Sequence, residues 1–365
     1  MINALPVPAL RQPRGIVNVN GVSCPGWIEW EVNNNTHHQA DTFRVMFSVQ
    51  ALPASMPLSW FVTQQLLQIE IFAGFPLDPA NYHTSDLTSW IVGNADTMEY
   101  DPANNVLELS GRDLSSLFID VKTTEKFQNL TSYQIITQLA QRQGLTAQAS
   151  PTTTLAGKFY EIDHAKMQSA RSEWDLMTWL AQEEGFALWV RGTTVYFQPP
   201  TSTSAEPYVL QWQQPTASSA SPQFNGTRIK FSRNLTLAKD VSVTVKSWNA
   251  KQKKGFTKTA TGVHPGGSGI KQAYSFTVPG LTPEKALQRA QSLLAQISQH
   301  EVNLEADLPA DTLLDTTSIV QVIGTGSAFD QFYFPASIVR RMSMEEGFTM
   351  CLHAKNSSPN TEVTL

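Results

Sequence analysis

The sequence predicts a mainly β chain with an α+β middle: two small β-barrel domains flanking a small α/β region. Three observations carry that expectation. The first hundred and ten residues or so and the last sixty both read as short, alternating, turn-punctuated strands. Between them lie two brief helical segments with complete capping signals. No stretch carries a convincing catalytic constellation, which moves the search for function toward assembly. The expected domains are 1–115 (first barrel), 116–200 (α/β middle) and 201–365 (a linker and a second barrel with an inserted helix at 283–299).

In the first domain the apolar period is two. Ile16, Val17 and Val19 run into Asn20-Gly21, a strong two-residue hairpin signal. Trp27 to Val32 reads as the next strand. Phe43, Val45, Phe47 and Val49 then alternate with Arg44, Met46, Ser48 and Gln50, as a strand with one buried face requires. Leu52 to Leu67 reads as an insertion with two prolines and one short helix. Ile69 to Phe72, Trp90 to Val92 and Val106 to Leu109 continue the strands, and Asp101 to Asn105 has turn chemistry.

The pattern changes after Gly111-Arg112-Asp113. Thr131 with Gln134 forms a capping box, and Leu130 with Ile135 is placed as a hydrophobic staple. Ile135, Ile136, Leu139 and Ala140 give the helix one apolar stripe, and Gly144 stops it. A second helix repeats this grammar. Ser172 caps it, Asp175 sits three residues on, Trp174, Met177, Leu180 and Ala181 form the buried face, and Gly185 ends it. A hairpin follows, Phe186 to Val190 and Thr194 to Phe197 around Arg191-Gly192. A Trp/Met face of this kind belongs to a core rather than a cofactor site.

Pro199 to Pro222 is rich in Ser, Thr, Pro and Gln and reads as a linker or long surface connection. Arg228 to Leu235 and Val241 to Trp248 read as a long hairpin pair. Tyr274 to Val278 is another strand. Thr282 caps a third helix, with Pro283 at its first position, Glu284 in its first turn, and Ala286, Ala290, Leu293 and Ile297 along its stripe. Glu301 to Leu308, Ser318 to Ile323, Phe332 to Met342 and Phe348 to Ala354 are the closing strands. Two all-β halves of similar size hint at a distant duplication, although no aligned sequence repeat is visible.

Composition narrows the function. Charged residues are 16% of the 365 positions, below the roughly 25% usual in globular domains. Uncharged polar residues fill the gap, which suits a surface held against other proteins. The net charge of −5 carries no basic nucleic-acid footprint. Lys251, Lys253, Lys254 and Lys258 cluster beside Gly255 as a solvated hairpin tip, with phosphate or partner contact as the alternative. Cys24 and Cys351 lie at opposite ends without metal or disulfide spacing and read as small buried hydrophobes. Pro6, Pro8 and Pro13 stand where a signal peptide needs an apolar run. No apolar run approaches the roughly 18 residues of a membrane helix. These features lead us to expect a soluble chain made in a reducing cytoplasm.

Candidate chemistry fails for want of partners. His37-His38 sits in an Asn-rich loop without a metalloprotease context, and His164 follows Asp163 on what would be opposite strand faces. Glu183-Glu184 and Glu345-Glu346 are adjacent acids at turns, not a spaced carboxylate pair. Gly266-Gly267-Ser268-Gly269 lacks the Gly-Lys-Ser/Thr of a phosphate loop. Gly324-Thr325-Gly326-Ser327 lies between strands where a nucleotide fingerprint needs a helix. Both glycine runs read as hairpin turns. No catalytic, cofactor-binding or metal residue is assigned, and no cofactor or enzymatic activity is expected.

Several segments in order resemble the tail hub proteins of contractile-tailed bacteriophages, the baseplate hub or late-control D family, related to the N-terminal part of the VgrG spike proteins. They are Glu108 to Leu114 at the exit of the first barrel, Leu117 to Asp120, the Thr131 to Gly144 helix, Ser172 to Asp175, and Leu180 to Phe186 with its hairpin. The ending, Gly324-Thr325-Gly326 between strands and Glu346-Gly347-Phe348 before a last strand, resembles the family's closing barrel. The likeness spans most of residues 15 to 355. The chain departs from the pattern at Leu314-Asp315-Thr316, where a proline-glycine turn is expected, and at Arg340-Arg341, where some relatives have a histidine.

The resemblance implies tail-tube-like barrels in a homotrimeric virion protein of the tail baseplate, made in the bacterial host cytoplasm. Three subunits with two barrels each would adapt a sixfold tail tube or tube-initiator protein to a threefold central spike. Baseplate wedge proteins are further implied partners. DNA would pass through the channel without specific binding, and no membrane insertion is implied. Two other classes stay open on the sequence: a tail-associated glycan-cleaving enzyme and a receptor-binding protein.

Overall fold

The computed structural model describes residues 12–364 except 37, 126, 128, 154, 157–170, 200–205, 217–220, 236–239, 250–253, 264–270, 279–280, 299–301 and 357–361. The chain is mainly β. Its first part contains β1 (Arg14–Val19), β2 (Val22–Ser23), β3 (Trp27–Asn35), β4 (Thr42–Ser48), α1 (Leu58–Thr63), β5 (Gln68–Gly74), β6 (Thr88–Asp101) and β7 (Val106–Asp113). The middle adds α2 (Ser116–Ile119), β8 (Lys122–Thr123), α3 (Ser132–Arg142), β9 (Thr146–Ala149), β10 (Arg171–Ser172), α4 (Glu173–Glu184), β11 (Ala187–Arg191) and β12 (Thr194–Gln198). The last part holds β13 (Tyr208–Gln213), β14 (Gln223–Phe224), β15 (Arg228–Arg233), β16 (Asp240–Asn249), β17 (Lys254–Val263), β18 (Lys271–Thr277) and α5 (Pro283–Ser298). It ends with β19 (Val302–Pro309), β20 (Val320–Ile323), β21 (Phe332–Ser343), β22 (Gly347–Lys355) and β23 (Glu362–Thr364).

Local chemistry explains the well-marked elements. Asn20 and Gly21 both adopt positive φ, as the turn between β1 and β2 requires. Both expected capping boxes form: the Thr131 hydroxyl accepts from the Gln134 N–H, and the Ser172 hydroxyl accepts from the Asp175 N–H. Gly185 closes α4 in the left-handed conformation at φ 70°. Strands β3, β4 and β7 bury every second residue, and Trp30, Val45, Phe47, Leu107 and Leu109 are fully inside.

The two β halves share one wiring plan. In the first, the order across the sheet is β1-β5-β6-β7-β4-β3; in the second it is β13-β20-β21-β22-β19-β15. Leaving aside the two-residue strands and β16–β18 with β23, which form a separate sheet, each half places its first strand beside its fourth, then its fifth, sixth, third and second. One contact differs: β1 meets β5 antiparallel, whereas β13 meets β20 parallel. The halves are not separate bodies. Strand β21 pairs with β3 from Ser337↔Asn35 to Ser343↔Glu29, which joins both into one 14-stranded sheet. One continuous core contains Trp30, Val32 and Phe47 together with Leu304, Met342 and Leu352.

Two expectations are corrected. Arg228–Arg233 and Asp240–Asn249 do not pair. β15 pairs with β19, whereas β16 pairs with β17 and β18 and belongs to a separate four-stranded sheet, β18-β16-β17-β23. Helix α5 covers that sheet, and Val243, Val245, Ala290 and Leu294 form its own core. The alternation of β16 suits any half-buried sheet, so it could not choose its partner. Second, Pro199–Pro222 is not only a connection. Tyr208, Val209 and Leu210 are buried in β13, and the polar residues around them masked this short apolar run. The Gly266–Gly269 stretch lies outside the described residues; its flanking strands β17 and β18 both pair with β16 rather than with each other.

Candidate functional site

The joint between the halves is built from β3 and β21. Along it Glu31 accepts from the Arg341 Nε at 2.6 Å, while Trp30 and Met342 turn inward beneath the pair. The Trp30 ring lies 5.7 Å from that of Phe348. The Thr36 hydroxyl donates to the Ala336 carbonyl at 2.8 Å beside a bulge in β21.

A buried polar network closes one end of the joint. Arg340 is 1% exposed. It donates to Asn34 Oδ1 and to the Leu314 carbonyl, both at 2.6 Å, and its guanidinium lies 3.8 Å from the centre of the Trp90 ring. Asn34 Nδ2 passes the link to Asp41 Oδ2 at 2.7 Å, and Asp41 Oδ1 accepts the Asn35 N–H. From the middle region, Arg191 grips Asp315 with two bonds. Tyr208 donates to Asp311 at 2.7 Å. One cluster therefore ties together both β halves and the β11–β12 hairpin.

Burial sets the electrostatics. It pushes the Asp41 carboxyl up to about 6, against the pull of its bonds from Asn34 and Asn35. Burial and the nearby Asp41 charge raise Asp113 well above the usual carboxylate range. Arg340 is drawn down to about 10 by burial and stays charged at neutral pH. Burial also works against the Asp315 carboxylate, but Arg191 outweighs it and holds the group below its ordinary value. Arg340, Asn34, Asp41, Arg191 and Tyr208 bond across chain segments, so the cluster is a clamp.

The residues weighed for chemistry are scattered. His38 adopts φ 74° and its carbonyl accepts from the Trp174 indole N–H at 2.9 Å, fastening α4 to the β3–β4 loop. His37, His164 and Asp163 lie outside the described residues, as do Lys251 and Lys253. Glu184 accepts from the Ser132 hydroxyl at 2.7 Å, binding α4 to α3. The Glu346 N–H donates to Ser343 in the β21–β22 turn. Burial pushes the thiol of Cys24 up to about 11 and that of Cys351 up to about 12, so neither is an activated nucleophile. Among the described residues no group of His, Cys, Asp and Glu could hold a metal ion.

Two strand edges stand out instead. β6 pairs with β5 through residues 88–94 and with β7 through residues 93–101. Beyond Asn94, no described strand lies on its β5 side. There Met98 is 37% and Tyr100 43% exposed. Among the described strands, β15 pairs with β19 alone, and none lies along its other edge. Sequence reasoning missed both. The exit of β6, Asp96-Thr97-Met98-Glu99-Tyr100-Asp101, is too polar to announce a strand, though Met98 and Tyr100 keep the alternation.

No protein-family model matches the chain, and no curated protein matches it by sequence. Solved structures do. The tail protein from Neisseria meningitidis MC58 matches with a TM-score of 0.71 at 14% identity, over 96% of this chain and 99% of its own. The prophage MuSo2 tail protein from Shewanella oneidensis gives 0.70 at 14% identity, over 96% and 100%. An E. coli type VI secretion component, described as similar to the T4 phage tail proteins gp27 and gp5, gives 0.54 at 10%, over 93% and 76%. The chain thus has the fold of phage tail proteins along nearly its whole length.

Proposed function

We propose that this chain is the structural hub of a phage tail baseplate: a homotrimeric adaptor between a sixfold tail tube and a threefold central spike, of the late-control D type and without enzymatic activity. The observation that carries this reading is the repeated strand order of the two halves within one sheet. A chain with two like-wired units is threefold when three copies assemble, yet offers six similar units to its neighbours. Closed cyclic symmetry then limits growth. The shared fold with tail proteins supports the same reading. So does the polar clamp, which fixes the two units and the middle region as one block.

The hub would sit in the virion, at the tail end, with the tube or its initiator on one face and the spike on the other. The test is to measure the mass of the purified chain in solution, then its binding to tail-tube and spike proteins of the same particle. A particle of three chains that captures both is expected. A stable monomer that joins neither would contradict the reading.

A further inference from the structure

Because the two halves share one wiring plan, each strand of one has a counterpart in the other. The β6–β7 turn closes on Asp101↔Val106, and the β21–β22 turn on Ser343↔Gly347. Superposing these end pairs sets Tyr100 on Met342, Glu99 on Arg341, Met98 on Arg340 and Thr97 on Val339. Carrying the register through β4 and β19 sets Glu31 on Arg228, Val32 on Ile229 and Asn33 on Lys230. β21 has its edge covered by β3. The counterpart of β21 is β6, and the counterpart of β3 is β15. Other described strands also end a sheet, but within the repeated six-strand plan these counterparts, the exit of β6 and β15, are the ones that face each other's missing partner.

We infer that β15 of one copy pairs antiparallel with the exit of β6 in the next copy, repeating between chains the β3–β21 joint found within one. This rests on the hub reading and names the contact that would close its ring. Three independent features favour it. The first is exposure: Met98 and Tyr100 are 37% and 43% exposed, whereas their counterparts Arg340 and Met342, already covered by β3, are 1% and 7% exposed. The second is the inner face: the derived register lays Met98 opposite Ile229, with half-buried Phe231 two residues further along β15.

The third is charge. Across the existing joint, Arg44, Glu31 and Arg341 are successive neighbours, reading plus, minus, plus. The counterparts Asp307, Arg228 and Glu99 read minus, plus, minus. Arg228 already pairs with Asp307 at 2.7 Å and also with Glu305, and Glu99 of the neighbouring copy would face it from the open side. The row is inverted in sign yet alternates in the same way. An open edge of this kind recruits a strand. Both edges lie on each chain, so the contact is head-to-tail and closes only as a ring.

Disulfide trapping tests the pairing. The double variant Thr97→Cys/Lys230→Cys, mildly oxidised, should give covalent dimers and closed trimers on a denaturing gel, and neither single variant should. Asn33→Cys/Val339→Cys is the reference, since it occupies the equivalent pair inside one chain and should close without joining chains; all variants carry Cys351→Ser, because Val339 faces Cys351 across β21 and β22. As a second variant, Met98→Asp/Tyr100→Asp should leave a folded chain, because both side chains are exposed in one copy, but abolish the trimer. If the reference bond forms and the unmodified chain has trimeric mass while the trap gives monomers only, this strand pairing is wrong and the hub reading survives. If the unmodified chain is monomeric and the trap is silent, both fall. A ladder running past trimer keeps the pairing and overturns the closed ring.

Discussion

Arg340 shows how one side chain can hold three segments. It is buried, charged, and bonded to Asn34 and the Leu314 carbonyl under the Trp90 ring. Removing one partner of a buried charged network costs about 3–5 kcal/mol because the others stay behind unpaired. Arg340→Met should lower stability by that order in urea unfolding. Arg340→Lys keeps the charge but not the two-pronged geometry and should fall between. The carboxylates add a pH dependence. Asp41 is raised to about 6 from an ordinary 3.8, so the folded state binds the extra proton. This term favours folding fully at low pH, fades as pH rises from about 4 through 6, and is gone above that. Asp113 is shifted the same way. Stability should therefore decline over this range by about 1–3 kcal/mol from Asp41, and Asp41→Asn should flatten its share; urea midpoints at several pH values read this directly. Little of the cluster was legible in sequence. Asp315 and Arg340 did stand out, as two departures from the hub pattern, but only the fold brings them within one network, from residues that are distant along the chain.

At the scale of elements, local signals were reliable and partnership was not. The capping boxes at Thr131 and Ser172 are satisfied within three residues, so the sequence alone displays them. The strands β19 to β22 likewise fall close to the expected spans. Pairing depends on residues far away. That is why the alternation of β16 suggests β15 as its partner, and why the exit of β6 shows only the weak alternation of Met98 and Tyr100. The insertion yields a test. Arg233 and Val302 face each other as a β15–β19 pair, and the described elements between them, β16 to β18 and α5, pack around their own core. Replacing residues 234–301 with an Asn-Gly turn should leave the remaining sheet folded, with a melting temperature within about 5 °C of the parent. Collapse of the fold would show that the insertion is integral to the sheet.

For the whole molecule, the shared sheet and core change what the halves are. They are not beads on a linker but two like-wired units fused by β3 and β21, with the middle region pinned to both through Arg191 and Trp174. Rigid fusion suits an adaptor, since the spacing of units within a chain must match the spacing between chains for six joints to be alike. The duplication was only hinted at by the sequence. Strand order survives when residue identities do not, because alternating buried positions accept many apolar side chains.

The most direct measurement is a cryo-EM reconstruction of the purified chain. The account predicts a closed ring on a threefold axis, with six similar β units around a central channel and alternating intrachain and interchain joints. Isolated single chains, or a ring of another order whose two halves occupy dissimilar environments, would contradict it.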